Sequence, residues 1–126
     1  MKIATTIVRV LLGLIFTIFG LNGFLHFLPN PPMPDAAIHF FGALYATRYM
    51  LPLMFAAQVI GGVLLVAGIF VPLALVILAP IVVNIIFFHM FLAPGGLPLA
   101  LVVTLFELFL AWRHRAAFNP LFGSSL

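Results

Sequence analysis

The sequence predicts an all-α protein: a four-transmembrane-helix bundle with a short interfacial or re-entrant helix between helices 1 and 2. Three observations carry this. The 126 residues are 66% hydrophobic and 6% charged, against roughly 45–50% and 25% in soluble domains. The apolar residues fall into four runs of about the length that crosses a bilayer. The breaks between the runs are rich in Pro and Gly, which end helices. The whole chain, 1–126, reads as a single membrane domain.

With a mean hydropathy of +1.38, the bilayer is the solvent for most of the chain. The net charge of +3 comes from five cations and two anions, too few for a nucleic-acid stripe. The chain has no cysteine, which excludes disulfides, thiol catalysis and Cys-ligated metal.

The first span is expected over residues 5–28. Lys2 and Arg9 ahead of an apolar stretch resemble a signal peptide, but no small-x-small cleavage site follows, so the helix is read as uncleaved. Gly13, Thr17, Gly20 and Gly23 are small positions suited to close packing. Asn22 and His26, spaced i, i+4, share a face. The segment LPNPPMPD follows, and its prolines require an exposed turn. Asp35 is placed to cap a helix over 36–48, too short to span and rich in aromatics, with Tyr45, Arg48 and Tyr49 at headgroup level.

The second span, 51–70, contains AAQVIGGVLLVAG, residues 56–68. Its glycines Gly61, Gly62 and Gly68 let neighbouring backbones approach, and Gln58 points inward. The third span, 73–92, carries Asn84 and His89, with Pro80 as a kink site. Pro94-Gly95-Gly96-Leu97-Pro98 is a turn. The fourth span, 98–113, carries Glu107 and runs into Arg113-His114-Arg115. The tail FNPLFGSSL is expected to be loose. Four spans put both termini on one face, with Lys2, Arg9, Arg113 and Arg115. Only Arg48 lies on the other face, so the positive-inside rule places both termini in the cytoplasm.

Two groups of residues are candidates for function. Arg9 and Glu107 each cost about 2.5–3.5 kcal/mol at a helix centre, which suggests an ion pair between helices 1 and 4. That pair is either purely structural or a gate or relay in a carrier; the alternative is a protonated Glu107 with no partner, a candidate proton carrier. The second group is Asn22, His26, Gln58, Asn84 and His89, interleaved with Phe24, Phe27, Phe55, Phe87, Phe88 and Phe91. It outlines a polar ligand-binding pocket with aromatic walls in the outer leaflet. A quinone suits it, because ring carbonyls accept hydrogen bonds from His or amide donors. The bland alternative is interhelical hydrogen bonding, worth about 0.6 kcal/mol per contact. A haem is disfavoured: there is no C-x-x-C-H motif, and Arg48 alone would serve its propionates. Two acids are too few for a carboxylate metal site. The sequence therefore implies no metal and no certain cofactor. No catalytic residue is assigned, since Walker, G-x-G-x-x-G, G-x-S-x-G and H-E-x-x-H motifs are all absent.

The pattern resembles the DoxX family of small bacterial four-helix membrane proteins. The resemblance covers Ile7 to Trp112. It rests on RVLLGLIFTIFGLNGF from Arg9, QVIGGVLLVAGIFVPLA from Gln58, and FFHMFLAPGG from Phe87. The family often carries Glu where Gln58 stands, in an E-x-x-G-G pattern. It takes its name from a subunit associated with a terminal quinol oxidase and a thiosulfate:quinone oxidoreductase, and other members are tied to redox homeostasis. The resemblance implies a bacterial cytoplasmic-membrane protein, an accessory subunit or quinone-type ligand binder in membrane redox metabolism rather than an enzyme by itself. Its expected partners are the lipid bilayer and another membrane redox protein or a second copy, with no nucleic acid. The alternatives are a carrier for a small or lipophilic solute, and a structural membrane partner without a ligand.

Overall fold

The computed structural model describes residues 2–29 and 32–123. Its helices are α1 (Lys2–Leu25), α2 (Asp35–Ala46), α3 (Met50–Ala67), α4 (Val71–Phe91), α5 (Leu97–Arg113) and α6 (Arg115–Phe122), with a single 3-10 turn at Pro94–Gly96 before α5. Four of them, counting that turn with α5, are long and apolar enough to cross a membrane. The all-α four-span architecture is therefore as the sequence predicts.

The spans form a ring. α1 packs most extensively on α3, α3 on α4, α4 on α5, and α5 closes back onto α1. The α1–α3 pair is antiparallel and close because glycine faces backbone. A Cβ on Gly62 would stand 2.6 Å from the Thr17 nitrogen and 2.8 Å from the Gly13 oxygen. Gly61, one residue on, faces the other way, onto Leu78 of α4. One Gly-Gly pair thus seats α3 against two neighbours. Without a hydrophobic drive between helices in lipid, this close packing is what holds them.

The core contains Leu12, Phe16, Leu65, Leu75, Leu78 and Leu110. The outside of the bundle is just as apolar: Ile7, Ile18, Val63, Val83, Leu105 and Leu108 are all exposed. In water such a coat would far exceed the few hundred Å² of exposed apolar patch that soluble monomers carry. Among the described residues, the buried polar or charged ones are Gln58 and Glu107, each 7% exposed. An apolar exterior with polar groups turned inward is the pattern of a membrane bundle.

α3 ends on Gly68, at φ 74°. Its N–H donates to the Leu65 oxygen and that of Ile69 to the Leu64 oxygen, both at 3.2 Å, the Schellman arrangement of a helix C-terminus. Arg9 completes this cap. Its guanidinium donates to the Leu65 carbonyl and, at 3.2 Å, to the Val66 carbonyl. A cation suits a helix C-terminus, where the carbonyls and the macrodipole are negative.

Several boundaries differ from the sequence expectation. α1 stops at Leu25 rather than 28, because His26 turns left-handed at φ 53° and the Leu28 N–H is taken by Asn22 Oδ1 at 2.7 Å. Asp35 is the first residue of α2, with no side-chain cap on that helix. The tail is not loose as far as Phe122. Arg115–Phe122 is α6, which packs Phe118 against the core of the bundle. Ser124, Ser125 and Leu126 lie outside the described residues, as do Asn30 and Pro31 of the proline-rich loop.

The Arg9–Glu107 ion pair is not formed. Arg9 is spent on the end of α3, and Glu107 Oε1 has no hydrogen-bond partner among the described residues. The two substitutions Arg9→Gln and Glu107→Gln should therefore be independent. In a double-mutant cycle read by thermal unfolding in detergent, their coupling is expected to stay below about 0.5 kcal/mol. Arg9→Gln alone should destabilise by about 1–2 kcal/mol through the lost cap.

Candidate functional site

At the end of the bundle where α2 lies, a cavity of about 500 Å³ opens between α1, α2, α3, α4 and the start of α5. Four of the five residues marked in the sequence line it: Asn22, Gln58, Asn84 and His89. The helix register brings them together. Gln58 lies on the buried face of α3, with Gly61 and Leu65. Asn84 and His89 sit in the last two turns of α4, and Asn22 in the last turn of α1.

Gln58 is the deepest of these. It is buried, and no hydrogen bond engages its amide, nor that of Asn84, among the described residues. The Gln58 amide opens onto the cavity, so a ligand seated there can complete its hydrogen bonds. Asn22 is half satisfied: its Oδ1 accepts from Leu28, which leaves the NH₂ group as its contribution to the wall.

His89 is oriented by its own helix. Its Nδ1 lies 3.0 Å from the Ile85 carbonyl. A carbonyl can only accept, so Nδ1 carries the proton, and in the neutral ring Nε2 is left as an acceptor. Gly96 makes room for that ring, since a Cβ there would collide with the Nε2–Cδ2 edge. The cavity therefore offers amide donors and one imidazole acceptor within apolar walls.

Those walls are aromatic, but not all the expected rings take part. Phe55 and Phe88 do, joined by Phe16, Phe19, Phe40 and Phe41. Phe40 and Phe41 of α2 reach over to Phe88, with ring centroids at 5.6 and 5.1 Å. Phe87 and Phe91 stack on each other at 6.2 Å and are exposed on the outside of α4. Phe24 meets Phe55 edge-on, and neither it nor Phe27 lines the cavity. The contribution of α2 was the part missed, although its FF pair, Phe40-Phe41, was the available signal.

His26 does not join the site. It lies just beyond the end of α1, is exposed, and does not line the cavity. The i, i+4 rule that paired it with Asn22 applies only inside a helix, and His26 has left the helix. The two histidines of helices 1 and 3 therefore do not face a common space, and a bis-histidine haem does not fit here.

Glu107 belongs elsewhere. It lines a second cavity of about 480 Å³ at the opposite end, between α4, α5 and α6. No residue lines both cavities. Along α4, buried Val82 stands between Ala79 of the second cavity and Asn84 of the first.

No curated protein and no solved structure matches this chain. The family model for DoxX matches residues 4–112, a segment that contains all four spans except their outermost residues, the aromatic roof of α2, and every polar residue of the α2-end cavity. With its sequence matched over that length and its helices built for a bilayer, the chain belongs to the DoxX family and is an integral membrane protein.

Proposed function

We propose that the α2-end cavity binds a lipophilic, quinone-type ligand, and that the protein serves membrane redox metabolism as an accessory subunit rather than as an enzyme by itself. The observation that carries this reading is Gln58, a largely buried side chain whose amide faces an aromatic cavity without a hydrogen bond among the described residues. The cavity's volume falls within the roughly 300–1,000 Å³ of small-molecule sites. Asn22, Gln58 and Asn84 would donate N–H groups to ring carbonyls, and His89 Nε2 would accept from a ring hydroxyl. Phenylalanine faces would hold the ring between them. A quinone, when bound, supplies the capacity to carry two electrons and two protons. The protein's own part is to bind the ring, orient it and keep water from it.

The same reading sets the protein in the bacterial cytoplasmic membrane with both termini inside. Lys2, Arg9, Arg113 and Arg115 cluster at one end of the bundle and Arg48 alone lies at the other, which supports that orientation. The redox partner would be another membrane protein that meets the ligand through the lipid or at the bundle's surface.

The test is an oxidised-minus-reduced absorbance spectrum of protein purified in mild detergent, with mass spectrometry of its organic extract. A quinone in near-stoichiometric amount is expected from the native chain and a several-fold smaller amount from His89→Ala and Asn84→Leu. An extract holding phospholipid alone, from protein that also fails to bind added short-chain quinone, defeats the proposal.

A further inference from the structure

The second cavity has a different chemistry. Its walls are largely apolar, with Leu75, Phe118, Leu121 and the Trp112 ring among them, and Glu107 opens onto it from α5. Glu107 is 7% exposed, and its Oε1 accepts no hydrogen bond among the described residues. The nearby cations are committed elsewhere. Arg9 caps α3, and Arg113 donates from Nε to Thr5 Oγ1 at 3.0 Å. Arg115 lines the same cavity, but it donates to the Trp112 carbonyl at 2.9 Å and lies over the Trp112 ring, 4.9 Å from its centroid. Arg115 is also exposed at the rim, where solvent and headgroups screen its charge. Glu107 Oε1, buried and without a donor among the described residues, is therefore the polar group of the cavity left to be satisfied.

A buried carboxyl oxygen without a donor is unfavourable. A ligand bearing both N–H groups and a positive charge relieves it, provided that the rest of the ligand is apolar enough to fill the cavity. We propose that this cavity is a binding site for a lipophilic cation: a protonated amine on a small hydrophobic body. The ammonium group sits on Glu107 and the body packs against Trp112, Phe118 and Leu121. The site is separate from the α2-end cavity and does not depend on what that cavity binds.

Trp112 is the one tryptophan of the chain, so its fluorescence reports on this cavity directly. The experiment titrates the full chain, in a non-ionic detergent, with three probes of like shape: phenylbutylammonium, phenylbutanol and phenylbutyrate. The ammonium is expected to bind at least about ten-fold more tightly than the alcohol, with the carboxylate weakest. Glu107→Gln should bring the ammonium down to the level of the alcohol. Arg115→Gln should strengthen ammonium binding, because it removes the competing charge. Alcohol and ammonium binding alike to the native chain, or the carboxylate binding most tightly, overturns the proposal, and so does a weakening by Arg115→Gln. The comparison of the three probes on the native chain stands even if Glu107→Gln does not fold.

Discussion

Gly62→Ala will separate α1 from α3 and lower the stability of the bundle by about 1–3 kcal/mol, the usual range for overpacking. Valine at the same position will lower it further. The physical reason is the nature of the atoms in the way. A new Cβ would meet the Thr17 backbone nitrogen at 2.6 Å and the Gly13 backbone oxygen at 2.8 Å. Backbone cannot step aside as the end of a side chain can, so one whole helix must move. Moving it also loosens the Gly20 contact with the Phe55 oxygen and the Gly13 contact with the Val66 nitrogen, which belong to the same seam. In detergent, the melting temperature followed by Trp112 fluorescence is expected to fall by roughly 5–10 °C. Gly42→Ala is the matched control. Nothing lies within 4 Å of its new Cβ, and alanine is the better helix former by about 1 kcal/mol, so that variant should melt at or slightly above the native temperature. If both variants melted together at the native temperature, the close α1–α3 seam would not exist.

Gln58→Leu will move stability and binding in opposite directions. The side chain is largely buried, and its amide faces the apolar walls of the cavity with no hydrogen bond among the described residues. An apolar side chain of similar shape removes that penalty, and the empty protein should gain about 1 kcal/mol. The same change strips the deepest donor from the cavity. Affinity for a quinone-type ligand should fall at least ten-fold, which corresponds to about 1.4 kcal/mol. The check is a thermal melt and a ligand titration on one preparation. If Gln58 were only interhelical glue, leucine would lower stability instead. The sign of the stability change therefore separates a binding residue from a packing residue.

What the sequence made legible follows from which forces act locally. Hydropathy and proline placement are properties of short stretches, so the four spans and the turn at Pro94–Gly96 could be read directly. The glycines of α3 could be read as contact positions because small residues have few other uses inside a span. The cavity was legible in part: Asn22, Gln58, Asn84 and His89 converge because each lies in the half of its helix nearest α2 and lines the same space. His26 did not follow, because it is itself the left-handed residue at which α1 ends. The partner of Arg9 was misjudged for a different reason. Opposite charges suggest a pair, but a helix C-terminus is also a negative partner, and no letter of the sequence announces which carbonyls will be free. Phe40 and Phe41 were overlooked because α2 was read as lying at the interface, not as folding over the bundle. The amphipathic α6 was missed because its interior Pro120 and its short length argue against a helix when considered without the bundle beneath it.

The position of α2 separates two stabilities within one chain. Its buried face consists of Ala37, and beyond a small contact with α3 it is held by the rings of Phe40 and Phe41 on Phe88. The spans, by contrast, share a core of leucines that runs through all four of them. Segments with few buried contacts open at far lower free energy than the core that carries them. The roof of the cavity can therefore unfasten and close again many times while the bundle remains intact. On the proposed reading, changes among the twelve residues of α2 are expected to alter how long a ligand resides in the cavity without altering how tightly the four spans hold one another.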